Sequence, residues 1–332
     1  MNRGLRTLVG AQFLSAFGDN AVLFTVISLT LHEGIRGSWY IPALQSVFIV
    51  AFILLTPWVG RLADQHPKPF VLLGANLVKA LGAIVIMLGV EPLLGYAVIG
   101  LGAASYGPAK YGIIPELTTH DKLVRANGWV EGATIAAILA GTVGGARLAD
   151  YSITIALGSV IALYFTSGLA TLFLPRIKTK PINRKESVWS ELGAAMKGLL
   201  SNQRVRLILI GLSLFWSLAA TLRVVLVAWA PEVLHAGTAT KIADLTFFMA
   251  IGIVIGAYVM GLLFIQLGFV TDTLMAELIL LGIGVFGGMI VVPLNAAVQE
   301  VGHESIGSGR AVAAQNFFQN SGIILGMGLY SL

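Results

Sequence analysis

The first apolar run of the chain, about residues 5–31, is long enough to cross a bilayer and carries an acid near its middle. Within it the stretch AQFLSAFGDNA (11–21) places Asp19 and Asn20 among apolar neighbours. Counted from Arg6 at about 1.5 Å per residue, Asp19 lies roughly 20 Å into the membrane. A carboxylate at that depth costs at least ~2.5–3.5 kcal/mol on insertion scales, so it must face a partner or a watery cavity. The bland alternative is a polar group that only ties helices together. Intramembrane ionisable residues more commonly mark the path of a substrate or ion.

Composition fixes the class. Of 332 residues, 57% are apolar, only 11% are charged and 39 are glycine, which excludes an ordinary soluble domain. Small residues at this density suit membrane helices that approach closely. With no cysteine the chain has no disulfide, thiol nucleophile or thiolate metal site. The net charge of +5 reflects basic loops that set topology and is not a nucleic-acid signal.

Apolar runs fall at about 5–31, 41–60, 70–90, 93–114, 124–148, 152–175, 205–230, 243–268, 274–298 and 309–332, ten candidate spans of an all-α polytopic membrane protein. The first is too long, and too polar at its centre, for a cleaved signal peptide. Arg3 and Arg6 precede span one, Arg61 and Lys68 follow span two, and Lys122 and Arg125 follow span four. The loops around Glu33 and Glu91 and after Asp150 hold almost no positive charge apart from Arg36, so the N-terminus is expected in the cytoplasm. The expected organisation is an N-terminal six-helix bundle over 1–175, a basic cytoplasmic linker over 176–204 and a C-terminal bundle over 205–332.

Gly60-Arg61-Leu62-Ala63-Asp64 follows span two, with Lys68 just beyond, and Gly144-Gly145-Ala146-Arg147-Leu148-Ala149-Asp150 closes span five on the opposite face. The first resembles the G-x-L-A-D signature of the major facilitator superfamily. That resemblance implies a two-bundle fold in which Gly60, Asp64 and Lys68 form a conformational latch. Longer blocks narrow it: AQFLSAFGDNA (11–21), SYGPAKYGIIPELTT (105–119), LVRANGWVEGATIAAILAG (123–141), SLFWSLAATLRVVLVAW (213–229), GGMIVVPLNAAVQE (287–300) and AVAAQNFFQN (311–320) resemble the bacterial lysophospholipid transporters of that superfamily. The resemblance implies a flippase of the inner membrane that carries lysophosphatidylethanolamine and related lysolipids from the outer to the inner leaflet. An acyltransferase acting in trans would then restore the second acyl chain. It also implies twelve spans where ten are counted. A span's length is expected to be missing near Gln266–Phe269, with the chain interrupted there, and Leu332 falls in what corresponds to the eleventh span.

A lysophospholipid site needs a cation for the phosphate, an acid for an ammonium and an apolar route for one tail. Arg223 lies deep in span seven, and its planar fork of donors suits phosphate and stays charged when desolvated. Asp19 is placed to neutralise Arg223 or to hold the substrate amine, since spans one and seven are equivalent helices of the two halves. The alternative is a buried ion pair locking the halves. Lys110 and Asn20 complete the candidate substrate-binding set, with snorkelling the bland reading for the lysine. Lys79 and Glu131 are read as charge compensation, Glu131 balancing Lys110 or Lys79. Asn295, Asn316 and Asn320 are read as interhelical hydrogen-bond glue. No G-x-x-x-x-G-K-[ST] pattern supports an ATPase, the histidines show no metal spacing, and neither an enzyme nor a cofactor is implied. Substrate and membrane lipids are the other expected partners. The competing reading is a proton-coupled exporter of amphipathic drugs, with Asp19 as its protonation site.

Overall fold

The computed structural model describes residues 1–33, 39–119, 122–175, 187–234, 238, 240–245, 247, 274–275, 277–281 and 308–330. Long helices dominate: α1 (Arg3–Glu33), α2 (Tyr40–Gln65), α3 (Lys68–Met87), α4 (Pro92–Leu117), α5 (Leu123–Tyr151), α6 (Ile153–Thr171), α7 (Val188–Ser201), α8 (Gln203–Val233) and α9 (Ser308–Tyr330). Six of them contain stretches long and apolar enough to cross a membrane: 3–31, 43–65, 68–87, 125–151, 153–171 and 205–222. Candidate spans 243–268 and 274–298, and the expected interruption at 266–269, lie almost wholly outside the described residues.

The breaks follow local chemistry. Pro67 and Pro92, whose missing N–H groups cost nothing before or within a first turn, open α3 and α4. The end of α3 is a Schellman turn, in which Gly89 at φ +80° donates to Ile86 O and Val90 donates to Val85 O. A single extended residue, Ser152, separates α5 from α6. Its N–H closes α5 on Leu148 O, and its hydroxyl accepts from Ile155 N at the start of α6.

The first six helices form one bundle in which α1 lies against α5 and α6, α3 against α4 and α6, and α2 against α4. Side chains pin which ends share a face. Asn2 donates to Leu117 O, and Thr171 donates to Pro69 O, so the face carrying the start of α1 also carries the end of α4, the start of α3 and the end of α6. On the far face Tyr40 donates to Glu91, and Ser28 donates to Asp150 at 3.1 Å. Thr240, at the start of the helical segment 240–245, also donates to Asp150.

In lipid, helices gain little from hydrophobic exclusion and associate through close packing and polar contacts. At Gly145 a methyl group would sit 2.4 Å from Ala21 Cα, which shows how closely α5 is drawn onto α1. The second Gly-Gly-Ala-Arg-Leu-Ala-Asp block therefore has a local packing reason for its glycine. α9 packs on α8 and reaches across to α2 and α4, where Ile49 and Ile323 form a small apolar cluster with Trp216, Ala220 and Ile324.

The linker region contains the amphipathic helix α7. Glu191, in its first turn, pairs with Arg61 of α2 at 3.0 Å, and Trp189 meets Trp58 edge-on with centroids 5.4 Å apart. The arginine of the Gly-Arg-Leu-Ala-Asp stretch thus ties α7 to the bundle.

Candidate functional site

Asp19 stands at the centre of a polar network built from three helices. On α1, Ser15 and Asp19 are one turn apart; on α3, Asn76 and Lys79; on α6, Tyr164 and Ser167. Residues three or four apart share a helix face, so the pairs stack as two layers. In one layer Lys79 Nζ lies 2.8 Å from Asp19 Oδ2, and Tyr164 Oη donates to Asp19 Oδ1 at 2.9 Å. In the other, Ser15 Oγ donates to Asn76 Oδ1 at 2.9 Å, Asn76 Nδ2 donates to Ser167 Oγ at 3.2 Å, and Ser167 donates to Ala11 O at 2.7 Å. Lys79 links the layers by donating to Ser15 Oγ at 2.9 Å.

Two glycines make this geometry available. At Gly102 of α4 a Cβ would fall 2.7 Å from Lys79 Cγ and 2.6 Å from Ala75 O, so only glycine leaves the lysine stem its path. At Gly18 a Cβ would fall 2.7 Å from Tyr164 Cε1, so the bare backbone lets the ring lie flat and its hydroxyl reach Asp19. The Lys79 ammonium also lies 4.8 Å from the Tyr106 ring centroid and 5.5 Å from that of Tyr164. Aromatic faces stabilise a cation more when water is excluded, as it is here.

The network is asymmetric in access. Lys79 has 1% of its side chain exposed and Asp19 has 23%. The lysine is the buried partner, and the acid is the group a ligand can touch. One carboxylate oxygen is held by the ammonium and the other by the phenol, which leaves further lone pairs for a cation arriving from the open side.

The remaining candidate residues fall as follows. Asn20 turns back on its own helix and donates to Ala16 O at 2.9 Å. Lys110 is buried, its ammonium 4.0 Å from the Tyr111 ring centroid, and Tyr111 donates to Glu131 at 2.6 Å. Tyr111 thus stands between Lys110 and Glu131, and no ion pair joins Glu131 to Lys110 or Lys79 among the described residues. Gly60 is buried and Asp64 half-buried at the end of α2, while Lys68 gives its ion pair to Glu116 at the end of α4. Arg223 belongs to α8, but its side chain lies outside the described residues, as does Asn295. Asn316 lies 3.4 Å from where a Cβ on Gly107 would be, an interhelical approach between α9 and α4, and Asn320 donates to Asn316 O within α9.

Sequence reasoning passed over Ser15, Asn76, Tyr164 and Ser167. The available signal was their spacing: each pair repeats at three or four residues inside an otherwise apolar span, at depths that the parallel pair α1 and α3 and the antiparallel α6 bring level.

Comparison with known proteins agrees with this architecture. The sequence model described as Major Facilitator Superfamily matches residues 8–268. The lysophospholipid transporter LplT of Photorhabdus laumondii is 40% identical over 357 aligned positions, covering 100% of this chain and 89% of that protein. The LplT proteins of Shigella flexneri serotype 5b and Escherichia coli strain SE11 are 41% and 40% identical, with the same coverage. Among solved structures, a bacterial homologue of the iron transporter ferroportin in an outward-facing state superposes with a TM-score of 0.65 over 99% of this chain and 92% of that one. At 17% identity, that likeness speaks for the fold alone. The chain belongs to the major facilitator superfamily, and within it to the family of the LplT lysophospholipid transporters. The two-bundle membrane fold expected from the sequence is thereby established.

Proposed function

We propose that this protein carries lysophospholipids across the bacterial inner membrane, from outer to inner leaflet, with its N-terminus in the cytoplasm. The observation that carries the reading is Asp19, a membrane-embedded acid kept partly accessible while Lys79 and Tyr164 hold it from behind. Relatives about 40% identical along the whole chain are named lysophospholipid transporters, which supplies the substrate class. The head group travels between Asp19 and Arg223. Arg223 takes the phosphate that every lysophospholipid shares, and Asp19 takes an ammonium where one is present. Lys110 receives the phosphate further toward the cytoplasm. The acyl tail stays in lipid or an apolar cleft, because a polar cavity would cost ~0.8 kcal/mol for each CH₂ left in water. Gly60, Asp64 and Lys68 act as the cytoplasmic latch. The protein performs no covalent chemistry, and reacylation falls to an acyltransferase acting in trans.

Uptake of labelled lysophosphatidylethanolamine by spheroplasts tests the reading. It should depend on this protein and proceed without the dye efflux that a pH gradient would drive through a drug exporter. Dye efflux with no lysolipid uptake would reverse the assignment.

A further inference from the structure

Between the start of α1, the end of α4 and the start of α5 lies a cavity of about 620 Å³, on the face that the proposed orientation puts in the cytoplasm. It is separate from the Asp19 network, and none of the residues assigned to the transport path lines it. Leu5, Leu117 and Ala126 give it an apolar wall, and Lys122 and Arg125 give it two cations. Among the described residues neither cation makes an ion pair, whereas the carboxylate in the lining, Glu116, is already neutralised by Lys68. Among the described residues the cavity therefore carries an excess of positive charge. Asn2 shapes the floor by accepting from Leu5 N and donating to Leu117 O, which ties α1 to α4.

Trp129 closes the side of the cavity that points along α5 and is half exposed. From Arg125 an exposed line continues through Gly128, Trp129, Gly132 and Ala136, at helical spacing, into the apolar part of the span. A soluble anion would use the cations and leave the tryptophan and this line idle. A lipid with one acyl chain would use both: phosphate on Lys122 and Arg125, first methylenes against Trp129, tail along the small residues of α5. The volume suits a glycerophosphate head group, since small-ligand sites usually span ~300–1,000 Å³.

We propose that this cavity is a second lipid site, holding the phosphate of a single-chain phospholipid at the cytoplasmic face as it leaves the carrier. The proposal rests on the reading of the chain as a lysophospholipid carrier and adds a release station beyond Asp19, Arg223 and Lys110.

The test uses the full chain in phosphatidylcholine nanodiscs and lysophosphatidylglycerol with a brominated acyl chain, which quenches nearby tryptophan fluorescence. The Trp129 component is the difference from Trp129→Phe. It should quench saturably, and in Lys122→Gln/Arg125→Gln the midpoint should weaken about tenfold, as loss of charge-assisted bonds to phosphate predicts. Both side chains are exposed, so the substitutions leave the packed interior intact. Lys122→Arg/Arg125→Lys should keep the wild-type midpoint. An unchanged midpoint in the glutamine variant would overturn the proposal. So would equal quenching by brominated two-chain phosphatidylglycerol, which would mark an ordinary boundary lipid, or displacement of the lysolipid by inorganic phosphate at matching concentration, which would mark a soluble-anion site. If quenching behaves as expected but spheroplast uptake fails, the carrier reading falls and the lipid site stands. If uptake proceeds and Trp129 stays silent to the lysolipid, the site falls and the carrier reading stands.

Discussion

Lys79 Nζ sits 2.8 Å from Asp19 Oδ2, so the acid of α1 has its counter-ion inside its own bundle. A site made of Asp19 alone would carry a full negative charge and admit only cationic head groups. With Lys79 behind it, the N-terminal half of the site is neutral overall. It offers an ammonium a carboxylate without repelling a head group that lacks one.

Removing the lysine leaves an unpaired carboxylate in apolar surroundings. Lys79→Met should lower stability by about 3–5 kcal/mol, the usual cost of breaking a buried pair from one side. Asp19→Leu/Lys79→Met removes both charges and should regain most of that loss, yet remain inactive because the acid is gone. Thermal unfolding of the solubilised protein, read beside uptake in spheroplasts, separates the two effects. A double variant that transports would show the pair to be structural only.

Arg223→Ala should stop uptake of every lysophospholipid, because phosphate is common to all. Asp19→Asn should slow lysophosphatidylethanolamine more than lysophosphatidylglycerol. Uptake assays with both substrates, normalised to the amount of protein in the membrane, check this. Normal transport by Arg223→Ala would remove the arginine from the mechanism.

Close packing gives a graded prediction. At Gly145 an added methyl meets the backbone of Ala21 at 2.4 Å, which cannot yield, so Gly145→Ala should destabilise by about 1–3 kcal/mol. Gly18→Val should also push Tyr164 off Asp19 and reduce transport. Gly74→Ala, where nothing lies within 4 Å, should be neutral or slightly stabilising. A melting temperature for Gly145→Ala at or above that of Gly74→Ala would contradict the helix approaches described.

The contact between α7 and α2 predicts a protease phenotype. Glu191→Ala should loosen α7 and raise the rate of tryptic cleavage at Lys197, within that helix, by several-fold, as expected for local opening of a weakly held element. Arg61→Ala, which removes the other half of the pair, should do the same. Cleavage unaffected by either change would mean that the apolar contacts, Trp189 on Trp58 and Leu199 with α8, hold the helix without the ion pair.

Much of this architecture was legible in the chain. The apolar runs over the first six spans fall on α1 to α6 within a few residues, because a membrane span is specified by length and hydropathy alone. The place of Asp19 inside the first long helix was legible for the same reason. Its contact with Lys79 was not legible; the sequence offered Asp19 either Arg223, whose side chain lies outside the described residues, or a substrate amine. Which cation an acid meets depends on how closely helices cross, and that is set by Gly18 and Gly102, whose role appears only when the neighbouring backbone is in place. Helix α7 was hidden because its basic neighbours make the whole stretch look like a tether, while its apolar face is short and needs α8 and α9 to complete it.

Asp150 shares its two oxygens unequally: Ser28 of its own bundle holds one, and Thr240 on the far face holds the other. Among the described residues the Thr240–Asp150 bond is the polar tie between α5 and the 240–245 segment, and its loss leaves the carboxylate held by Ser28 and by incoming water. One bond to a charged group is worth about 1.5–3 kcal/mol, an order of ten to a hundred in rate. A fastening of that strength ties the end of α5 to the 240–245 segment weakly enough for thermal motion to undo.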